Sequence, residues 1–312
     1  MLSMRKLIIL LLCLVFCFSG CGLESREDTG GLSIVATIFP GYDFARQVCG
    51  DSAEVTMLLP PGSESHSYQP SAKDIIKIQN CDLFIYVGGE SDTWVENILS
   101  SIDEPVKTLR MMDCVEAVEE EIKEGMDHEE EKLEEDIEYD EHVWTSPKNA
   151  VIIVEAIAAA IAGIDPENAE VYLQNPDAYV AELERLDAEF EEFFAGVENK
   201  VLIFGDRFPM RYFVDAYGLD YYAAFPGCAS ETEPSAATIA FLIDKIKTEG
   251  ITTVFYIELS NHMIADSIAE ATGAKTALFY TCHNVTEEQL SGGASYVSLM
   301  EENLETLREA MR

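Results

Sequence analysis

Short β-branched and aromatic runs alternate along this chain with longer segments whose apolar residues recur at helical spacing. Residues 33–39, 54–59 and 82–88 are runs of the first kind. Helices are predicted after each, through Phe44 and Val48, over 72–80, and over 94–102. Ser71 with Asp74 has the form of a capping box at the start of the second helix. Further on, Ser146 and Pro147 suit the cap and first turn of a helix through Val151, Val154, Ile157, Ala158 and Ile161. A charged helical stretch over 165–197 carries Tyr172, Tyr179, Leu183, Leu186, Phe190, Phe193 and Phe194 at helical spacing, with a break at Asn175-Pro176. Such an aromatic stripe reads as core packing. The alternation then resumes, with strands expected at 201–204, 221–225, 252–257 and 277–280. Helices are expected up to Tyr217, from Ser235, over 263–272 and over 296–311. This order predicts an α/β fold of two lobes, each a mostly parallel sheet flanked by helices, joined by one long connecting helix.

Composition sharpens that picture. A chain of 312 residues with 48% apolar content is too long for one ordinary core and suits two domains. Its 58 acidic against 20 basic residues give a net charge of -38, which excludes a nucleic-acid role and favours cations. Arg5 and Lys6 precede an apolar run from Leu7 to Phe18 that is too short to span a bilayer but fits a signal peptide. Ser19-Gly20-Cys21 then resembles a bacterial lipobox, with Phe18 where leucine is usual. On that resemblance Cys21 is the lipidated first residue of an exported protein. The expected segments are a signal and anchor over 1–21, a tether over 22–31, and a first lobe over 32–164 with an acidic insertion at 116–141. A connecting helix over 165–198 and a second lobe over 199–312 complete the chain. The insertion, which contains His128, is expected to be solvated and at most a loose collector of cations. Export permits disulfides, and a lobe-by-lobe pairing would join Cys49 to Cys81 and Cys228 to Cys282, leaving Cys114.

Three of the five histidines stand in loops between strands and helices. His66 follows the run ending in Pro60-Pro61-Gly62, His142 precedes the helix at Pro147, and His283 follows the last strand. Open α/β sheets place ligands at such strand ends. The Gly205-Asp206-Arg207 loop occupies a fourth end. Imidazoles with one carboxylate suit zinc, although no two of these residues have the tight local spacing of a zinc finger. There is no Gly-x-Ser-x-Gly elbow, no phosphate-cradling glycine loop and no Cys-x-x-Cys. A closed shell of four protein ligands holds a metal without using it catalytically.

The phrases Leu-Leu-Pro-Pro-Gly-x-x-x-His-x-Tyr-x-Pro-Ser and Glu-His-Val-Trp-x-Ser-Pro, the connecting helix and the late Gly-Ala-Lys resemble the zinc- and manganese-binding lipoproteins of bacterial ABC uptake transporters. The similarity runs from about Ile34 to Arg312. It implies two lobes that hold a metal between them for delivery to a membrane permease and its ATPase, and it maps the family's first two ligands onto His66 and His142. The third family ligand falls on Arg207, which cannot coordinate a cation, so Asp206 beside it is the candidate. The fourth falls near Tyr280, where His283 is the nearest capable side chain and Glu258 and Cys282 are alternatives. The expectation is a monomeric, non-enzymatic solute-binding protein outside the membrane, anchored through Cys21, with zinc bound by His66, His142, Asp206 and His283. Manganese or iron are the alternative ions. A secreted zinc enzyme and an acidic interaction lipoprotein are the rival functions. The stiff connecting helix predicts a small closing motion.

Overall fold

In the inner strands of the two sheets, successive side chains enter different cores, and this two-residue alternation builds the fold. In β1 (Leu32–Ala36) and β3 (Leu83–Tyr86), Ile34, Ala36, Leu83 and Ile85 face a large central core, whereas Val35 and Phe84 face a smaller outer one with Ile78 and Val95. In β5 (Val201–Phe208) and β7 (Thr253–Ile257), Leu202, Phe204, Phe255 and Ile257 enter the same central core, while Ile203 and Val254 pack outward on Leu242 and Ile268. One apolar interior therefore runs between the sheets, and each sheet is covered again on its far face. Strands buried on both faces are predominantly apolar, and the polar residues of these, Ser33, Thr253 and the Asp206-Arg207 pair, fall toward strand ends.

This computed structural model describes residues 31–65, 67–102, 105–127, 138–229 and 233–311. The amino-terminal segment with Cys21, the candidate ligand His66, and residues 128–137 with His128 lie outside the described residues.

With β2 (Ala53–Met57) and β4 (Thr108–Arg110), the first sheet has the order β2-β1-β3-β4, all parallel. With β6 (Asp220–Pro226) and β8 (Lys275–Phe279), the second has the order β6-β5-β7-β8, also parallel. Helices α1 (Phe39–Cys49), α2 (Ala72–Asn80) and α3 (Thr93–Ser101) belong to the first lobe. Ser71 and Asp74 form the capping box at α2 that the sequence predicts. Helix α4 (Pro147–Ile164) buries Ala150, Ile153, Val154, Ile157, Ala158 and Ile161. The connection is two helices, α5 (Ala169–Gln174) and α6 (Asp177–Ala195), divided at Asn175-Pro176. Tyr172, Tyr179, Leu183, Leu186, Phe190 and Phe194 are buried along it, so the stripe is core. The second lobe adds α7 (Arg211–Tyr217), α8 (Ala236–Glu249), α9 (Met263–Thr272), α10 (Glu287–Ser291) and α11 (Tyr296–Ala310).

Three expectations are corrected. The stretch Gly205-Asp206-Arg207, read as a loop, continues β5 through Phe208, with an irregular register between Phe204 and Arg207. Gly205 permits this because a Cβ there would stand 2.6 Å from the Ala265 backbone of α9. The flanks of the acidic insertion are docked on the second lobe. Glu119 bridges Tyr139, the amide of Asp127 donates to the Ala224 carbonyl (3.0 Å), and that of Val118 donates to the Tyr212 hydroxyl (3.1 Å). Cys49, Cys81, Cys114, Cys228 and Cys282 are all free thiols. Burial in apolar surroundings pushes the Cys49 thiol up to about 12 and leaves it inert.

Candidate metal centre

Two lobes meet at the carboxyl ends of their strands, and a small cavity of about 20 Å³ lies there. That volume admits one water or one bare ion and no organic solute. Ser63, Glu64 and Ser65 from the loop after β2 form one wall, with His142 beside them. Arg207, Glu258 and His283, from the ends of β5, β7 and β8, form the other.

The imidazoles of His142 and His283 come from residues far apart in the chain, yet their ring centroids are 5.8 Å apart with planes inclined at 78°. Trp144 holds both, 5.5 Å from His142 and 5.2 Å from His283. Its own position is fixed because its indole N–H donates to the Thr281 carbonyl (2.8 Å) and its carbonyl accepts from the Tyr296 hydroxyl (2.7 Å). His142 is fully buried. Asp140 Oδ1 lies 2.9 Å from its Nδ1 and also accepts its backbone N–H at 2.7 Å. A carboxylate oxygen accepts, so Nδ1 donates and Nε2 carries the lone pair that a cation needs. Burial opposes charge on this imidazole, but Asp140, Glu141 and Glu120 outweigh it and hold the pKa above the ordinary histidine value.

At the other wall Glu258 shapes the loop that carries His283. Its carboxylate accepts from the Thr281 amide (2.7 Å), the Thr281 hydroxyl (2.6 Å) and the His283 amide (3.0 Å). Burial pushes the Glu258 carboxyl above the usual carboxylate range despite these donors. Cys282 has φ of 60°, a left-handed conformation that costs a non-glycine residue about 1–2 kcal/mol. Its thiol belongs to the central core while its neighbour His283 lines the cavity. Cys282 is thus turned away from the position in which it was an alternative ligand.

Asp206 is nearly buried and is not among the cavity-lining residues. Its oxygens accept from the amides of Arg207 (2.8 Å) and Ile257 (3.3 Å), so it ties the ends of β5 and β7 together. Arg207 does face the cavity and pairs with Glu64 across the lobes, 2.9 Å from Nη2 to Oε2. His66 lies outside the described residues, directly after the cavity-lining Ser65.

Sequence reasoning missed the polar clamp around the cavity. Asn284 Nδ2 donates to the carbonyls of Pro60 (2.8 Å) and Ser63 (2.9 Å), the Gly62 amide donates to the Val285 carbonyl (2.8 Å), and the Phe39 amide donates to the His283 carbonyl (3.3 Å). Asp140 was also missed, although a carboxylate two residues before a candidate ligand is a readable signal.

This architecture defines a bilobal binding protein with ligating side chains converging on a one-ion cleft. The family model "ZnuA: Zinc-uptake complex component A periplasmic" matches residues 34–310, and the chain belongs to that family, a transport component and not an enzyme. The chain is 33% identical over 309 residues to the zinc-binding lipoprotein AdcA of Streptococcus pneumoniae, across 98% of this chain and 61% of that one. It therefore spans less than two thirds of that relative's length. It is 31% identical over 302 residues to the high-affinity zinc uptake system protein ZnuA of Bacillus subtilis, across 94% of this chain and 93% of that protein. The crystal structure of the Zn(II)-bound ZnuA-like domain of Streptococcus pneumoniae AdcA aligns with a TM-score of 0.75 at 32% identity, covering 90% of this chain and 99% of that one.

Proposed function

We propose that this protein captures a divalent transition metal, zinc, between its lobes and delivers it to the permease and ATPase of an ABC importer. The observation that carries the reading is the ion-sized cavity on which the imidazoles of His142 and His283 converge. The zinc-binding names of the AdcA and ZnuA relatives support the choice of ion. His66, His142 and His283 donate neutral imidazoles. Glu258, which lines the cavity, is better placed than Asp206 to add a carboxylate. Nitrogen-rich donors of this kind favour tetrahedral zinc over the oxygen-rich octahedral shell of manganese.

The protein works outside the membrane, with the lipid on Cys21 as its anchor and a single chain as the functional unit. Metal analysis and calorimetry test the reading. One tightly bound zinc per chain is expected, lost in His66→Ala and His142→Ala, and outcompeting manganese. Equal zinc binding by wild type and both variants would overturn it.

A further inference from the structure

At the end of β6 the chain turns through Pro226-Gly227-Cys228. Gly227 lines the cavity, and a Cβ at that position would stand 3.3 Å from His142 Cε1, so the turn presses against the imidazole. One residue on, Cys228 Sγ, a ring nitrogen of His142 and a carboxylate oxygen of Glu141 all lie within 4.8 Å of one another. These are three different ligand chemistries brought together from the two lobes.

The cluster is held in place by its surroundings. Glu120 accepts from the Cys228 amide at 3.0 Å. Glu141 is buried, accepts from the Ser91 amide at 3.1 Å, and packs against Gly89, where a Cβ would stand 2.0 Å from its Oε2. The buried Glu141 and half-buried Glu120 gathered around a thiol favour an added cation, because buried charge has to be compensated locally. Arg207, also at the cavity, is itself a cation paired with Glu64 and adds no donor.

We propose that Cys228 is a metal donor of this protein, sharing the ion with His142 and supported by Glu141. The thiolate selects a borderline-soft divalent cation such as zinc or cobalt(II) over manganese, magnesium or calcium. On binding, the S–H bond is replaced by a sulfur–metal bond, the proton leaves to solvent, and no electron is transferred. This inference rests on the reading of His142 as a ligand.

Cobalt(II) titration of the purified protein tests it, because a cobalt–thiolate bond gives an intense charge-transfer absorption in the near ultraviolet that imidazole and carboxylate ligands do not give. That absorption is expected in wild type and lost in Cys228→Ser, which keeps weaker visible bands from cobalt on the remaining ligands. Zinc affinity of Cys228→Ser should fall by at least ~10-fold, no less than the loss of a partner that merely orients a ligand. Cobalt bound to wild type without the charge-transfer absorption would overturn the proposal, as would unchanged zinc affinity in Cys228→Ser. Should Cys228→Ser fail to fold, Cys228→Ala and the wild-type spectrum decide. Failure here leaves the transport reading standing, since that reading falls only if His66→Ala and His142→Ala also bind zinc normally.

Discussion

The two lobes share a strand order, β2-β1-β3-β4 and β6-β5-β7-β8, but they use its strand ends differently. In the second lobe the switch point lies between β5 and β7, and its flanking residues Arg207, Ile257 and Glu258 line the cavity, where open α/β sheets hold ligands. The corresponding crevice of the first lobe, between β1 and β3, is closed by the start of α1, where the Phe39 amide meets the His283 carbonyl from the other lobe. The first lobe reaches the cavity instead through the loop after β2 and through His142. A repeated backbone topology therefore does not carry a repeated site. The second lobe supplies fixed charges and the His283 imidazole, and the first supplies an imidazole aimed by its own carboxylate.

The asymmetry is broken most directly by His142→Ala, which should weaken zinc binding by at least ~100-fold in calorimetry, beyond the loss of an orienting group. A larger loss in His283→Ala would shift the dominant role to the second lobe. Next comes pH. Metal requires neutral His142, whose pKa is held above the ordinary value, so zinc affinity should drop at least about tenfold per pH unit below that pKa.

Stability of the metal-free protein should move the other way. The charged His142–Asp140 pair is fully present below the unfolded histidine pKa of about 6.5 and is lost as pH rises through the raised folded value. Asp92, pushed up by burial to about 7, adds the same sign, since the folded state binds the extra proton. Thermal midpoints should therefore rise as pH is lowered from about 7.5 to 6, while the zinc-induced gain shrinks.

Asp140→Asn should cost roughly 10–100-fold in zinc affinity, measured by competition with a chelator, because an amide carries no charge and no longer obliges Nδ1 to be the donor. Asn284→Ala, which removes two hydrogen bonds to the loop after β2, should lower unfolding free energy by about 1–2 kcal/mol in denaturant titration. The smallest effect belongs to Glu64→Gln. Its pair with Arg207 is half exposed at the glutamate, so stability should change by less than about 1 kcal/mol. Zinc affinity should still fall slightly, as an uncompensated guanidinium then faces the cation.

Most of the backbone could be read from periodicity. Helix α9 falls on the predicted residues, and β2, β7 and α11 differ only at their ends. Strand β4, of three residues, is too short to show alternation, and α10 is too short to show helical periodicity. His142 and His283 were legible as histidines at loop positions, but their approach depends on Trp144 packing between elements 137 residues apart, as its bond to Thr281 shows. Asp206 was chosen for adjacency to Arg207, and a β5 that continues past Gly205 directs its oxygens to backbone amides instead. Cys228 read as half of a disulfide because nothing in linear spacing reveals that the turn after β6 abuts His142.

The grip of Asn284, Trp144 and Phe39 across the lobes has a consequence for unloading. Opening the cleft far enough for escape would break several hydrogen bonds at once, each worth about 0.5–1.5 kcal/mol, before any bond to the cargo loosens. Spontaneous leakage is thereby slowed, and on the proposed transport role the work of prying the halves apart falls to the docking partner at the moment of transfer.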